Sequence, residues 1–328
     1  MNMIKVAVIM GGYSQEADIS LKSGKLVLDN LNKNIYEAYE VHILNEGWYC
    51  LIGNEKYLIN KGEFNFTLNN QEINFDVIYN TIHGTPGEDG YLQAYFEVIG
   101  IKYTGCPFYQ SALTFNKKDC ISVLNKYGIK SAKSVYLRKG EIINETNILN
   151  VVGLPCFVKP NKSGSSLGAS KVNLQSELNK AIDIAFEQDS EILIEEFSVG
   201  TEVSVGVLNY KNETIVLGIT EIISENEFFD YEAKYHGKVE EITPARLNDE
   251  VRKKVENVAI KAYLSLNMKG FSRSEYIIMN NEPYFIEMNT LPGLSPQSIF
   301  PQQAKAANIN IGDLFENEIK TALKQHLK

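Results

Sequence analysis

Residues 270–293 of this 328-residue chain read GFSRSEYIIMNNEPYFIEMNTLPG, the densest group of side chains here that could do chemistry. Phe271–Met279 and Tyr284–Asn289 have strand character. Alternation puts Arg273 and Glu275 on one face, and Glu287 and Asn289 on one face of the partner strand. A three-residue loop, Asn280–Glu282, is expected. It sets Met279 opposite Pro283, Glu275 opposite Glu287 and Arg273 opposite Asn289. A two-residue loop would send the two carboxylates to opposite sides. Opposed residues share a side of the sheet with Cβ atoms about 5 Å apart, and like charges there repel. A divalent cation removes that cost, because magnesium takes hard oxygen ligands between one or two carboxylates and nucleotide phosphates. Asn289 adds a neutral amide oxygen, and Arg273 adds planar donors suited to phosphate or carboxylate. Taken alone, the hairpin is equally compatible with a solvated sheet face carrying an i, i+2 salt bridge.

A second group lies upstream. Leu154–Gly168 reads LPCFVKPNKSGSSLG. Phe157 and Val158 suit a buried strand, Lys159 ends it, and Pro160 stops the ladder. Gly164, Ser165, Ser166 and Gly168 make a hydroxyl-rich loop whose backbone N–H groups can wrap phosphates. No GxxxxGK[ST] string is present, and no GxGxxG follows the first strand, which weighs against a P-loop and against a nicotinamide or flavin dehydrogenase. Lys117, Lys159 or a Gly-Ser loop alone is commonplace; their co-occurrence with a carboxylate hairpin is what carries weight.

The elements that must position these groups change character along the chain. Ile4–Met10 reads as a buried strand ended by Gly11-Gly12, Ser20–Leu31 as a helix, and Phe75–Tyr79 as a second strand before HGTPGEDG at 83–90; strand, glycine turn, helix is the grammar of a parallel α/β layer. A helix over Lys117–Tyr127 stops at Gly128. Short strands follow at Val135–Leu137, Cys156–Val158, Lys171–Val172 and Ile192–Ile194, with a helix at Gln175–Glu187, as in a small α+β unit. Glu202–Leu208 and Ile215–Ile223 read as antiparallel strands and 225–245 as a long functional loop. Residues 250–266 form the clearest helix, with Val251, Val255, Val258, Ala259, Ala262 and Leu266 on one face and Asn248 or Asp249 as its cap.

Composition narrows the function. Hydrophobic residues make up 44% and charged residues 22%, as in a globular protein with real cores. The net charge of −9 without a basic stripe argues against nucleic acid and against anionic membrane surfaces. Cys50, Cys106, Cys120 and Cys156 show no CxxC spacing and are expected to be buried free thiols. No run approaches the roughly 18–20 apolar residues of a membrane span, and MNMIKVAVIMGG lacks a signal peptide's apolar centre. A cytoplasmic location is expected.

Over about Ile4 to Leu314 the sequence resembles the D-alanine–D-alanine ligases of the ATP-grasp superfamily. Five ordered strings carry the likeness: GGYSQEADIS at 11–20, HGTPGEDG at 83–90 with Gln93, VKPNKSGSSLG at 158–168, DYEAKY at 230–235 and IEMNTLPGLSPQSIF at 286–300. The implied fold is α/β and α+β in three domains. These are a Rossmann-like parallel-sheet substrate domain over 1–112, a central ATP-grasp subdomain with the Gly/Ser loop over 113–196, and a C-terminal ATP-grasp subdomain over 197–328. The implied reaction makes D-alanyl phosphate from ATP and one D-alanine, then D-alanyl-D-alanine from the second.

The resemblance also implies roles. Lys117 and Lys159 contact ATP phosphates, Ser165 and Ser166 belong to the phosphate-covering loop, Lys234 also binds ATP, Glu195 and Glu196 hold adenine, and Glu202 holds the ribose. Glu275, Glu287 and Asn289 hold two magnesium or manganese ions. Glu16 takes the ammonium of the first D-alanine with His83 nearby, while Arg273 and the Gly293 N–H stabilise the oxyanion. Ser298 and the Ile299 backbone take the second carboxylate. Glu16, Ser165 and Tyr235 form a latch over the site. The family carries Asp more often where Glu275 stands, and Glu reaches one methylene further. His236 and Gln297 receive no role. Homodimers are expected by the same likeness. Tyr235 argues against a D-lactate acceptor, D-serine stays open, and the N-terminal strings disfavour an ATP-grasp ligase of another acid. The intact Arg273, Glu275, Glu287 and Asn289 disfavour a non-catalytic nucleotide-binding module.

Overall fold

The computed structural model describes residues 3–164, 167–224 and 239–324. The N-terminal apolar run forms β1 (Ile4–Gly11), and α1 (Ala17–Asn30) returns the chain to β2 (Tyr36–Leu44), parallel to β1. β3 (Gly47–Ile52) and β4 (Glu55–Leu58) extend this sheet antiparallel, and β5 (Phe66–Leu68) and β6 (Gln71–Ile73) form a separate ribbon. β7 (Val77–Asn80) lies parallel to β1 on its other side, giving the order β4-β3-β2-β1-β7. Residues 6–10 of β1 and 77–79 of β7 are unbroken apolar runs because both of their faces are covered. Ala7, Ile9 and Ile78 face an aromatic cluster that includes Phe64, Phe66 and Phe96 of α2 (Tyr91–Ile99). Val6, Val8 and Met10 face Val27 of α1. The antiparallel edge of β3 and β4 was not anticipated.

α3 (Phe108–Phe115) and α4 (Lys117–Lys126) connect to the central sheet. The Asn116 side chain caps α4 by accepting from the Asp119 N–H, and Gly128 follows with a left-handed φ of 73°, as a helix stop requires. β8 (Ser134–Arg138), β9 (Cys156–Pro160), β10 (Ser170–Val172) and β11 (Glu191–Glu196) pair antiparallel in the order β10-β9-β11-β8. α5 (Glu145–Val152) and α6 (Leu178–Gln188) share a buried core with this sheet.

β12 (Thr201–Tyr210), β13 (Glu213–Ser224), β14 (Val239–Ile242), β15 (Phe271–Met279) and β16 (Glu282–Asn289) make the third sheet, ordered β14-β13-β12-β15-β16. Within the stretch expected as a loop over 225–245, Val239–Ile242 instead pairs with β13, and 225–238 lie outside the described residues. α7 (Asp249–Ser265) packs on this sheet through Val251, Val255, Ala259 and Ala262; burying each valine contributes about 1.5–3 kcal/mol. Asn248 caps it by accepting from the Val251 N–H at 3.0 Å. α8 (Ile299–Ala306) packs on β12 and β13 of the third sheet, and α9 (Ile311–Leu323) returns to the first, where Phe315 meets Tyr79 edge-on at 5.7 Å. All four cysteines are buried and free.

The β15–β16 hairpin corrects one expectation and keeps its consequence. The loop is two residues, not three: Met279 pairs with Glu282 and Ile278 with Pro283. Asn280 and Asn281 both take left-handed φ, 51° and 62°, as a tight type I′ turn demands. That register alone would separate the carboxylates. A register shift after Glu275 restores them: Tyr276 pairs with Phe285 but Glu275 with Glu287, leaving Ile286 as the extra residue. A bulge inserts one residue and so reverses the side-chain parity beyond it. Arg273 then lies opposite Asn289, as expected.

Candidate active site

Two clefts meet at this hairpin. The first lies between the central sheet and the third, and its lining includes Lys117, Lys159, Glu195, Glu196, Glu202, Glu275 and Glu287. Phe157, Ile277 and Phe285 give it apolar walls, suited to a flat ring, while the charged groups stand at strand ends. Lys159 Nζ lies 2.7 Å from Glu195 Oε2. Lys159 pairs with Leu193 in the β9–β11 ladder and Glu195 with Phe157, so the two charges are diagonal neighbours on one face. Both are nearly buried, and a buried charge is tolerable only when paired.

The second cleft is walled by the turns around Glu16 and His83, by residues of β14, β15 and β16, and by the segment after β16. Glu16, His83, Arg273, Glu287, Asn289, Gly293, Ser298 and Ile299 all line it. The two clefts share Lys117, Ser163 and Glu287. Lys117, the first residue of α4, holds this junction: its Nζ is 3.2 Å from Glu287 Oε2 and donates to the Ser163 carbonyl at 2.7 Å. Burial opposes its charge, but Glu287, Glu195 and Glu88 together raise its pKa above the ordinary lysine value. Arg273 Nη2 lies 3.0 Å from Glu275 Oε1, and its Nε has no protein partner. Ser298 is the N-cap of α8, with its hydroxyl 2.8 Å from that of Ser295. A Cβ on Gly293 would stand 2.9 Å from the Ser298 hydroxyl, so close approach of the loop needs glycine there.

The sequence-predicted residues therefore assemble, with four exceptions. Ser165, Ser166, Lys234 and Tyr235, and hence the latch, lie outside the described residues, as does His236. Gly164 does approach Glu16: a Cβ there would be 2.8 Å from Glu16 Oε2. Several lining residues carried no expectation. Gln297 and Glu241 line the second cleft. So does Glu88, whose side chain accepts from the Gly84 N–H at 3.0 Å. Burial and the nearby Glu16 push its carboxyl up to about 8. Its position inside HGTPGEDG was the available signal. Burial lowers the His83 pKa against the opposing pull of Glu16, and its Nε2 lies 3.2 Å from the Ser23 hydroxyl.

Glu275, Glu287 and the Asn289 amide offer hard oxygens, which suits magnesium or manganese. Among the described residues no group of three or more His, Cys, Asp or Glu is poised to hold a metal, so other ligands, such as phosphate oxygens or water, would complete any coordination.

A nucleotide-sized cleft clasped between two antiparallel sheets, beside an N-terminal parallel layer, defines the ATP-grasp class of ligase folds. Family models for the D-ala D-ala ligase N-terminus and C-terminus match residues 5–106 and 123–320. A D-alanine–D-alanine ligase of Flavobacterium psychrophilum is 60% identical over 98% of this chain and 98% of its own length. The VanG D-Ala:D-Ser ligase of Enterococcus faecalis superposes with a TM-score of 0.86 at 31% identity, over 97% of this chain and 99% of that one. A Bacillus anthracis D-alanine–D-alanine ligase, complexed with ATP, does so with a TM-score of 0.79 at 28% identity, over 98% of each chain. The chain belongs to the D-alanine–D-alanine ligase family.

Proposed function

We infer that this chain joins two D-alanine molecules into D-alanyl-D-alanine at the expense of ATP, in the synthesis of peptidoglycan precursors. The observation that carries the reading is the junction at Lys117, Ser163 and Glu287, where the linings of the two clefts meet. A triphosphate in the first cleft and an amino acid in the second would meet there. The first D-alanine binds with its ammonium on Glu16 near His83 and its carboxylate toward the junction. That carboxylate attacks the γ-phosphorus, ADP leaves, and D-alanyl phosphate forms. The amine of the second D-alanine, its carboxylate on Ser298 and the Ile299 N–H at the α8 N-terminus, then attacks the acyl carbon. Arg273 and the Gly293 N–H receive the developing oxyanion, and phosphate departs. Such a site works by positioning and fixed charge.

In the first cleft Lys117 and Lys159 hold the phosphates, Glu195 and Glu196 the adenine, and Glu202 the ribose; Ser165, Ser166 and Lys234 also bind ATP. Glu275, Glu287 and Asn289 would hold two magnesium or manganese ions, whose charge lowers the repulsion between phosphate and carboxylate oxygens. Glu275 in place of Asp fits this set, because the bulge at Ile286 already brings it opposite Glu287. The units 1–112, 113–196 and 197–328, a homodimer and a cytoplasmic location complete the proposal; among the described residues no helix is long and apolar enough to cross a membrane.

D-alanine is favoured over D-serine as acceptor, since the 60% identical relative is a D-alanine ligase while the D-serine enzyme is at 31%. ADP release across a panel of D- and L-amino acids tests the reading. Stimulation by D-alanine is expected, with D-serine a poor competitor for the second site. Stimulation by another acid alone would overturn the reading.

A further inference from the structure

α8 carries Ser298 at its N-cap and Ile299 as its first residue, so its direction orients one wall of the second cleft. A helix of eight residues does not hold itself; isolated helices this short are marginal in water. Gln303 supplies an anchor. It is fully buried, and its Nε2 donates to the Ser204 carbonyl at 2.9 Å on β12 and to Thr220 Oγ1 at 3.1 Å on β13.

The amide sits in a slot made by two glycines. Gly206 and Gly218 are direct partners across the β12–β13 ladder. A Cβ on Gly206 would overlap Gln303 Oε1, and one on Gly218 would stand 3.0 Å from Gln303 Cβ and Cγ. Neither glycine has a left-handed φ, so these positions use the missing side chain rather than backbone freedom. Glycine inside a strand otherwise weakens it and marks close approach by another group. The helix is held on either side of this anchor as well. Phe300 packs on Phe271 with ring centroids 4.7 Å apart, and Gln302 Nε2 donates to Glu241 Oε2 at 2.9 Å. Gln303 itself does not line the second cleft.

We propose that Gln303, seated in the Gly206–Gly218 slot, is a positioning residue for the acceptor half of the reaction: it sets the direction of α8 and thereby aims Ser298 and Ile299 at the second D-alanine. This rests on the reading of Ser298 and Ile299 as the acceptor subsite. Among the described residues no group assigned to ATP or to the first D-alanine's ammonium stands on α8, and only Glu202 lies on a strand of the slot, so the anchor acts chiefly on one half-reaction. Two full-length variants test it. Gln303→Met keeps the length and loses both hydrogen bonds; Gly218→Ala crowds the slot while leaving Gln303 in place.

Two rates are read, with ATP and magnesium present. One is dipeptide formation against D-alanine concentration, fitted to two sites. The other is D-alanyl hydroxamate formed with hydroxylamine, which traps the acyl phosphate without the acceptor subsite. The acceptor KM should rise about tenfold or more, since misplacement by about 1 Å costs on the order of 100-fold. Hydroxamate formation should stay within about twofold of wild type. Equal losses in both reactions, or an unchanged acceptor KM in a variant of native circular dichroism, overturn the proposal. If Gln303→Met does not fold, Gly218→Ala carries the same split. Wild-type protein giving neither hydroxamate nor dipeptide would instead sink the ligase reading on which the proposal rests.

Discussion

The two clefts share a junction and are built by different means. The first is walled largely by β9, β11, β15 and β16, and its charges stand where the ladders and the bulge at Ile286 put them. The second is walled by the turns around Glu16 and His83 and by the segment from Asn289 to Ile299. Strand-built sites are held by ladders whose removal unfolds the sheet. Loop-built sites hang on single side-chain contacts, such as Leu294 N–H to the Ser23 hydroxyl at 3.2 Å. Chemistry at the junction should therefore be lost through one residue, whereas each cleft should fail separately when its own residues change.

The largest effect is expected at the junction. Glu287→Gln should fold, with a lowered melting temperature because Lys117 loses its carboxylate partner at 3.2 Å, yet lose on the order of 10³ in ligation rate, the scale of a deleted charge-stabilising group. Near wild-type turnover would remove the shared-junction model. Next is Lys159→Met, confined to the first cleft. It leaves Glu195 buried without its ammonium partner at 2.7 Å, so a loss of about 3–5 kcal/mol in stability accompanies a raised ATP KM. The D-alanine KM values should change far less, and parallel changes in all of them would erase the distinction between clefts.

A smaller effect is expected at Glu318 on α9, whose carboxyl burial pushes up to about 8. Between the ordinary 4.5 and about 8 the folded chain keeps a proton that the unfolded chain has released. Unfolding free energy should then fall as pH rises through that window. Melting temperatures across this range should fall less steeply in Glu318→Gln, and an identical slope would contradict the buried neutral acid. Smallest is Asn248→Ala at the α7 cap, expected to cost about 1 kcal/mol in denaturant unfolding. It should leave every kinetic constant unchanged, and a kinetic change would show that α7 is coupled to the clefts.

The contrast between clefts also explains what could be read in the sequence. α7 was legible because its apolar face repeats at helical spacing and Asn248 precedes it. The pairing of Glu275 with Glu287 was legible although the turn was misjudged. Asn280 and Asn281 favour a two-residue turn, and nothing local marks Ile286 as the residue the ladder would leave out. The Lys159–Glu195 pair follows only once β9 and β11 are known to be neighbours. In the second cleft no periodicity helps, so Glu16, His83 and Ser298 are legible only through the resemblance, and Glu88 is not marked by it. The Gln303 anchor was invisible because it joins residues 99 positions apart, and a glycine in a strand does not announce which side chain fills its space.

The central claim is that a D-alanine carboxylate in the second cleft attacks the terminal phosphate of ATP lying in the first. D-alanine labelled with ¹⁸O in its carboxylate, supplied with ATP and magnesium, tests it directly. Transfer of one carboxylate oxygen into each released phosphate, with ADP and D-alanyl-D-alanine formed in equal amounts, is the predicted result. Phosphate that carries no label while dipeptide accumulates would contradict it.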